Sequence, residues 1–517
     1  MAHRPFEAHV PTLQAFLTRQ GNPCPQKARP FVLAATILAS SMAFIDSTVV
    51  GIAIPALQRE FQASIIDLQW VANSYALMLG ALILVGGSLG DRIGRRMVFL
   101  VGIVVFTCAS ILCALAWTVE VMIWARALQG IGAAALVPQS LALISANFPK
   151  DVRGKAIGTW AAASALTTAL GPVVGGFLID LASWRAVFWI NAPIAVVTVW
   201  LSLTFMEESR DESGSGPLDW VGTLVAVAAF GALTYGLTLL SDESAGAGVV
   251  AAWIVAGAVG IGAFLMVEAR AAQPLVPLDL FRSPVFTGAN VTTLFLYGAL
   301  SGVLFLIPFD MLARRGMTAT EAGMIMLPFG LVIGLASRYT GDLADTYGPR
   351  RFLVIGPLLV AAGCIGFATA SNIWVTLVVP IVLVAVGMAL VAAPLTTVVM
   401  NAAPEEKAGS ASGISNTASR LSGVIAIALF GALAGIVFGL TAPEGATFGL
   451  IPPESDETRD DVEGAFLTAY NVAMYFAAAW CVIAAAVSYI SLAGTGPAKP
   501  PAGEDSDAQD RPGQEAA

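Results

Sequence analysis

Histidine is nearly missing: among 517 residues only His3 and His9 occur, both in the leading tail, so histidine chemistry is excluded from the rest of the chain. Charge is scarce too. Asp, Glu, Lys and Arg make up 12% of residues, about half the share of an ordinary soluble domain, while 57% are hydrophobic and the mean hydropathy is +0.79. That balance places the chain in a membrane. Cysteine is sparse and unpatterned. Cys24, Cys108, Cys113, Cys364 and Cys481 show no metal-ligand spacing, and four of them fall inside apolar runs, which reads as packing and implies neither a disulfide framework nor a metal site. A net charge of −9, with basic residues only in short clusters, excludes nucleic acid as a partner. No G-x-x-x-x-G-K-[ST] loop is present, so energy for any pumping is expected from an ion gradient, without a cofactor. There is no H-E-x-x-H element, and no nucleophile and base can be assigned to an enzyme. The first 30 residues lack a short apolar core ending at a small-residue cleavage site, so the first apolar run is expected to stay as an anchor. The weakly amphipathic "LQAFL" reads as part of a solvated tail.

What the chain has instead is apolar length. Such segments recur at about 31–55, 68–90, 97–117, 121–146, 155–179, 186–206, 220–240, 249–267, 285–309, 321–340, 352–371, 373–399, 410–439 and 465–493. Each is long enough for a helix to cross a bilayer and too long for a barrel strand. Lys and Arg in the joining loops set the orientation. Only Arg59, Arg185, Arg314, Arg315 and Arg459 fall outside, Arg126 and Arg420 fall within helices, and the others are expected on the cytoplasmic side with both termini. The loop "GSLGDRIGRR" (87–96) after the second segment returns as "GDLADTYGPR" (341–350) after the tenth. Asp91 and Asp345 are 254 residues apart, more than six helices occupy, so segments 7 and 8 read as an inserted pair. The expected architecture is an all-α polytopic membrane protein: a cytoplasmic tail (1–30), a six-helix bundle (31–206), a linker with the inserted pair (207–284), a second six-helix bundle (285–493) and a disordered acidic tail (494–517). Repeated halves of this kind place substrate handling at their interface. Residues 443–464 read as a solvated acidic external loop.

Few residues in the apolar runs carry chemistry. Asp46, in "FIDSTVVGIAIP", is the only charge between Arg29 and Arg59. A charge near the bilayer centre costs at least ~2.5–3.5 kcal/mol, so it faces a cavity or a partner. An aspartate moved between a dry environment and the vicinity of a cation takes up and releases a proton. Arg126 is the candidate cation; the alternative is a carboxylate that caps or hydrogen-bonds near the outer helix end. In the repeated loop, Gly87, Gly90 and Gly94 permit a tight turn, and Arg92, Arg95 and Arg96 hold it at the cytoplasmic face. Asp91 can pair with them or cap the next helix, contacts that are made and broken as two halves rock. On the ninth segment Asn290, Thr293, Tyr297 and Ser301 fall within about 80° of one another, a polar stripe that faces a cavity or bonds between helices. Asp310, beyond Pro308, belongs either to the external mouth or to a second proton- or cation-binding acid. Arg420 is a buried charge with no partner named by the sequence.

These stretches together resemble the fourteen-helix drug:proton antiporters of the major facilitator superfamily. "DSTVVGIAIP" is similar to the first-helix motif, "LQWVANSYAL" to the second-helix opening with Tyr75 toward the cavity, and "GDRIGRR" to the signature loop. "RALQGIGAA" is similar to the helix-4 motif, "LGPVVGG" to the helix-5 antiporter motif and "WRAVFWINAP" to the start of helix 6. The resemblance implies proton coupling at Asp46 and Arg126, a conformational switch at Asp91, Arg92 and Asp345, and a helix-5 hinge at Gly171, Pro172 and Gly175. Pro172 cannot donate to the Thr168 carbonyl, and the two glycines also suit plain helix packing. Gly51, Thr346, Ala186 and Asp310 stand where the family more often has Asn, Arg, an aromatic and Tyr. The implied activity is export of small amphipathic compounds in exchange for protons by alternating access, from a monomer spanning the inner membrane. A proton-linked importer or a lipid or metabolite exporter of the same fold is the rival; a membrane enzyme, channel or receptor fits less well.

Overall fold

The structure, a computed structural model, describes residues 25–210, 220–242, 244–271, 274, 276–369, 377–404, 407–452 and 457–493. The "LQAFL" stretch, the C-terminal tail and most of the 207–219 linker lie outside them. Among the described residues, fourteen helices are long and apolar enough to cross a membrane. They are α1 (Arg29–Phe61), α2 (Ile65–Ile93), α3 (Arg95–Ala114), α4 (Val119–Asn147), α5 (Lys150–Leu181), α6 (Ala186–Phe205), α7 (Trp220–Thr238), α8 (Ala247–Arg270), α9 (Pro284–Pro308), α10 (Ala319–Tyr347), α11 (Pro349–Phe367), α12 (Val379–Asn401), α13 (Ala408–Thr441) and α14 (Arg459–Ser491). Their apolar composition and the need to satisfy every main-chain polar group within the segment make them helical. Local chemistry sets where several begin. Ser64 with Asp67 and Thr318 with Glu321 form reciprocal capping boxes at the starts of α2 and α10. Proline occupies the first turn of α1, α9 and α11.

Helices α1–α6 form one bundle and α9–α14 the other. The α7–α8 pair packs on itself, and α7 leans on α2 and α13, so the insertion covers one seam between the bundles. Exposed Trp124, Val196, Trp200, Leu440 and Ile490 belong to an outer apolar belt that hydrocarbon would cover. The chain is a multi-pass membrane protein. An even number of spans brings both ends of the described chain to one face, called here the terminal face; the other is the far face.

The bundles meet along α5–α10 and α2–α13, with α1 against α9. At α5–α10 the backbones touch. A Cβ at Gly176 would stand 2.1 Å from the Ala319 carbonyl oxygen, and one at Gly323 would stand 2.3 Å from that of Pro172. Small residues permit this approach where the hydrophobic effect gives helices no reason to associate. Polar bonds clasp the far face. Asp180 on α5 accepts from the main-chain N–H groups of Ala319 (3.1 Å) and Thr320 (2.7 Å), the start of α10. Gln58 donates to the Phe448 carbonyl (2.7 Å), and Gln69 donates to Ile427 (3.1 Å) on α13. Toward the terminal face α5 parts from its neighbours: Lys155, Gly158 and Thr159 are exposed, and nothing lies within 4 Å of a Cβ placed at Gly154 or Gly158.

Two expected solvated stretches are partly structural. In the 443–464 loop Phe448 is buried among Phe309, Phe438 and Phe466, because an aromatic inside an acidic stretch still buries its ring. In the linker Glu208 is buried and accepts from the N–H groups of Arg96 (3.0 Å) and Met97 (3.1 Å), capping α3. Of the two readings of Asp91, the structure gives the pair, with Arg95 at 2.8 Å, and not the cap.

Candidate functional site

A cavity of about 260 Å³ lies between the bundles. One wall comes from α1, α2, α4 and α5, through Ser47, Thr48, Tyr75, Arg126, Thr168 and Pro172; the other comes from α9, α10 and α13, through Ser301, Phe305, Phe329 and Arg420. Its lining is mostly apolar, with two guanidinium groups.

Arg126 is held firmly. It is 2% exposed, and its Nη1 donates to Asp46 Oδ2 at 2.5 Å and to Gln129 Oε1 at 2.7 Å. Its Nε donates to the Val71 carbonyl at 3.3 Å, and its Cζ stands 4.3 Å from the centre of the Tyr75 ring. Gln129 Nε2 closes the triangle by donating to Asp46 Oδ1 at 2.8 Å. Tyr75 turns its hydroxyl to the Ala43 carbonyl (3.4 Å) and its ring to the arginine. The helix-1 acid and the helix-4 arginine are thus brought into direct contact. Of the two settings expected for this charge, a cavity or a partner, the structure gives the partner: Asp46 is 1% exposed and does not line the cavity. Both its oxygens are taken by Arg126 and Gln129, so the cavity meets the arginine and not the acid. Gln129 was missed. Its only sequence signal is a position one turn after Arg126 on the same helix face, where i and i+3 side chains meet.

The polar stripe on α9 divides. Ser301 lines the central cavity, whereas Thr293 and Tyr297 line a separate cavity of about 130 Å³ against α12 and α13. Asn290 is buried, donates to the Phe286 carbonyl one turn back, and lines neither. The angular reading held one face together but ignored depth: eleven residues of helix advance by about 16 Å. Asp310 sits in a π-helical turn after α9, 1% exposed, with both oxygens in ion pairs, to Arg314 Nε (2.6 Å) and Arg315 Nε (2.8 Å). Arg314 also reaches Glu463 (3.3 Å) on α14. Of its two sequence readings, the geometry favours the mouth at the far face over a cavity acid.

The two repeated loops sit at the terminal face. Gly94 and Gly348, equivalent in register, have φ of 134° and 85°, a backbone region that favours glycine. The closing arginine of each loop donates to a carbonyl at the end of its bundle's last helix, Arg96 to Met206 (2.9 Å) and Arg350 to Tyr489 (2.7 Å). Gly87 accepts at its carbonyl from Gln139 (3.2 Å), and buried Nε of Arg92 has no hydrogen-bond partner among the described residues. Asp345 has no pair like Asp91–Arg95 among the described residues and borders a separate cavity. On α5, Gly171 and Gly175 face Thr48 and Val49 of α1, which makes them close-packing positions beside the Asp46 turn; Pro172 lies inside an unbroken helix and lines the cavity.

Two six-helix bundles enclosing a cavity at their interface, with a buried ion pair in its wall, define a secondary-transporter architecture. The chain belongs to the Major Facilitator Superfamily, whose family model matches residues 36–427 and 289–512. It is 33% identical over 482 residues to the multidrug resistance protein Stp of Mycobacterium tuberculosis, covering 86% of this chain and 89% of that one. It is 30% identical over 498 residues to the tetracenomycin C resistance and export protein of Streptomyces glaucescens, covering 89% and 91%. Its fold is similar to that of a bacterial homologue of the human lysosomal transporter Spinster, with a TM-score of 0.66 at 17% identity, over 90% of this chain and 97% of that one.

Proposed function

We propose that this chain is a monomeric exporter of small amphipathic compounds, driven by protons without a cofactor, and not an enzyme. The observation that carries the reading is the Asp46–Arg126–Gln129 cluster in the wall of the interface cavity. The named roles of its relatives in drug resistance and antibiotic export support the direction. The basic residues of the loops support a reading in which the terminal face is cytoplasmic and the membrane is the inner one. The arrangement closed at the far face then receives substrate from the inside.

In this arrangement each carboxylate oxygen of Asp46 accepts one hydrogen bond, from Arg126 or from Gln129. A proton arriving there competes with Arg126 and frees the guanidinium toward the cavity. Return of Arg126 to the carboxylate expels the proton. Asp46 and its partners therefore have two arrangements, and substrate in the cavity bears directly on the arginine that differs between them. Asp180 and the glycine contacts of α5–α10 are the seam that opens when the bundles rock.

The test is transport in proteoliposomes with an imposed pH gradient, using amphipathic dyes of either charge, comparing wild type with Asp46→Asn. Uphill dye movement by wild type, abolished by a protonophore and lost to background in an equally folded Asp46→Asn, is the expected result. Equal uphill transport by both removes Asp46 from the coupling path. Movement inward relative to the basic face would instead make the chain an importer.

A further inference from the structure

We infer that the central cavity selects amphipathic anions, with Arg420 as the group that pairs with the negative charge. This deepens the export reading by naming the substrate class, and it rests on that reading for its transport meaning.

The inference begins with the charges that line the cavity. Arg126 and Arg420 contribute positive charge, and no aspartate or glutamate lines the space. Asp46 neutralises Arg126 from behind, and Gln129 and the Val71 carbonyl also accept from it. Arg420 differs. It lies mid-way along α13, half-buried, and among the described residues it makes no hydrogen bond or ion pair. Its stem packs on α2, where a Cβ at Gly80 would meet the Arg420 Cβ at 3.2 Å, so this contact between the bundles fixes where the side chain starts. An unpaired guanidinium inside a protein bundle is costly, and an arriving carboxylate, sulfonate or phenolate removes that cost by accepting its planar fork of N–H groups. A cation entering the same space meets repulsion with no acid to offset it. Much of the wall suits an apolar body: Leu304, Phe305, Met326, Phe329 and Ile427 line it, and the hydroxyls of Ser47, Thr48, Thr168 and Ser301 are its small polar groups. One fixed positive charge beside an apolar wall is complementary to an amphipathic anion.

Binding tests this without any gradient. Full-length purified protein is titrated with 2-naphthalenesulfonate and with 2-naphthyltrimethylammonium, probes of like size and opposite charge, by equilibrium dialysis. We expect the anion to bind wild type at least about tenfold more tightly than the cation, the size of one charge-assisted contact. Arg420→Gln should remove that preference, and Arg420→Lys should keep part of it. Ala76→Asp provides a second route. Ala76 lines the cavity one turn from Gly80, so a carboxylate there neutralises Arg420 while leaving it in place and should also abolish the preference, even if Arg420→Gln fails to fold. Tighter or equal binding of the cation to wild type overturns the inference. So does absence of saturable anion binding, or an anion affinity unmoved by the substitutions. Export can fail separately: anion binding that depends on Arg420, with no uphill movement of any dye, would sink the transport reading and leave the charge-selective site standing.

Discussion

The two bundles share a scaffold but not their charges. In the first, Asp46, Arg126 and Gln129 form a cluster in which each side chain bonds to the other two. In the second, the cavity holds Arg420 alone, and the buried acid, Asp310, is displaced to the far face between Arg314 and Arg315. The scaffold around these groups repeats closely. Both second helices begin in a capping box, both signature loops turn at a positive-φ glycine, and both loops end in an arginine on a carbonyl of the sixth helix. Repetition therefore supplies the frame that rocks, while the departures from it say what each half does. The first half carries a pair that a proton can split; the second carries a charge that a ligand can satisfy.

The largest expected break in this comparison is in stability. Asp46→Ala leaves Arg126 as an uncompensated buried charge, which costs about 3–5 kcal/mol. Arg420→Gln removes a charge that has no partner, so it should not destabilise: stability should stay the same or rise. Thermal unfolding of both variants in one detergent checks the contrast. Equal losses would mean that Arg420 has a partner comparable to Asp46, and the asymmetry between the halves would go.

A middle-sized effect is expected at the far-face clasp. Asp180 gives the α5–α10 seam two charge-assisted bonds to the start of α10, whereas the α2–α13 seam is held by the neutral amide of Gln69. Bonds to charged groups are worth about 1.5–3 kcal/mol and neutral ones about 0.5–1.5 kcal/mol. Asp180→Ala should therefore raise opening at the far face by tenfold or more, and Gln69→Leu by less. A cysteine placed at Thr168, in a background without other cysteines, reports this through its labelling rate with an impermeant thiol reagent added from the far face. The reverse order would make α2–α13 the tighter seam.

Most of the frame was legible in the sequence, because bilayer thickness and main-chain hydrogen bonding leave apolar length as a direct signal of helices. The loop repeat gave the halves and the inserted pair. Pairing was less legible. Asp46 meets Arg126, its candidate cation, but Gln129 looks like any amide in a helix, and nothing local shows that it bonds to the carboxylate too. Asn290 shares a helix face with Ser301 and still misses the cavity, since periodicity fixes angle and not depth. Glu208 lies in a stretch whose composition reads as linker, yet it caps α3, because a cap depends on where the chain returns in space. The isolation of Arg420 is likewise a tertiary fact, readable only once the neighbours of α13 are known.

The smallest effect separates the two signature loops. Asp91 pairs with Arg95 one turn on, but Pro349 occupies the equivalent place in the second loop, so Asp345 has no arginine there to meet. The Asp91–Arg95 pair is partly exposed, with side chains 40% and 20% accessible, so solvent and salt screen it. Its loss in Asp91→Asn should cost about 0.3–0.5 kcal/mol at low salt and vanish at high salt, while Asp345→Asn should change nothing measurable. A double-mutant cycle with Arg95→Gln, read by thermal unfolding at two salt concentrations, isolates the pair. Transport by the same variants then separates structure from switching. If Asp91→Asn slows transport far more than so small a stability loss can explain, the pair holds one conformation against another, and the second loop, which lacks it, follows the first.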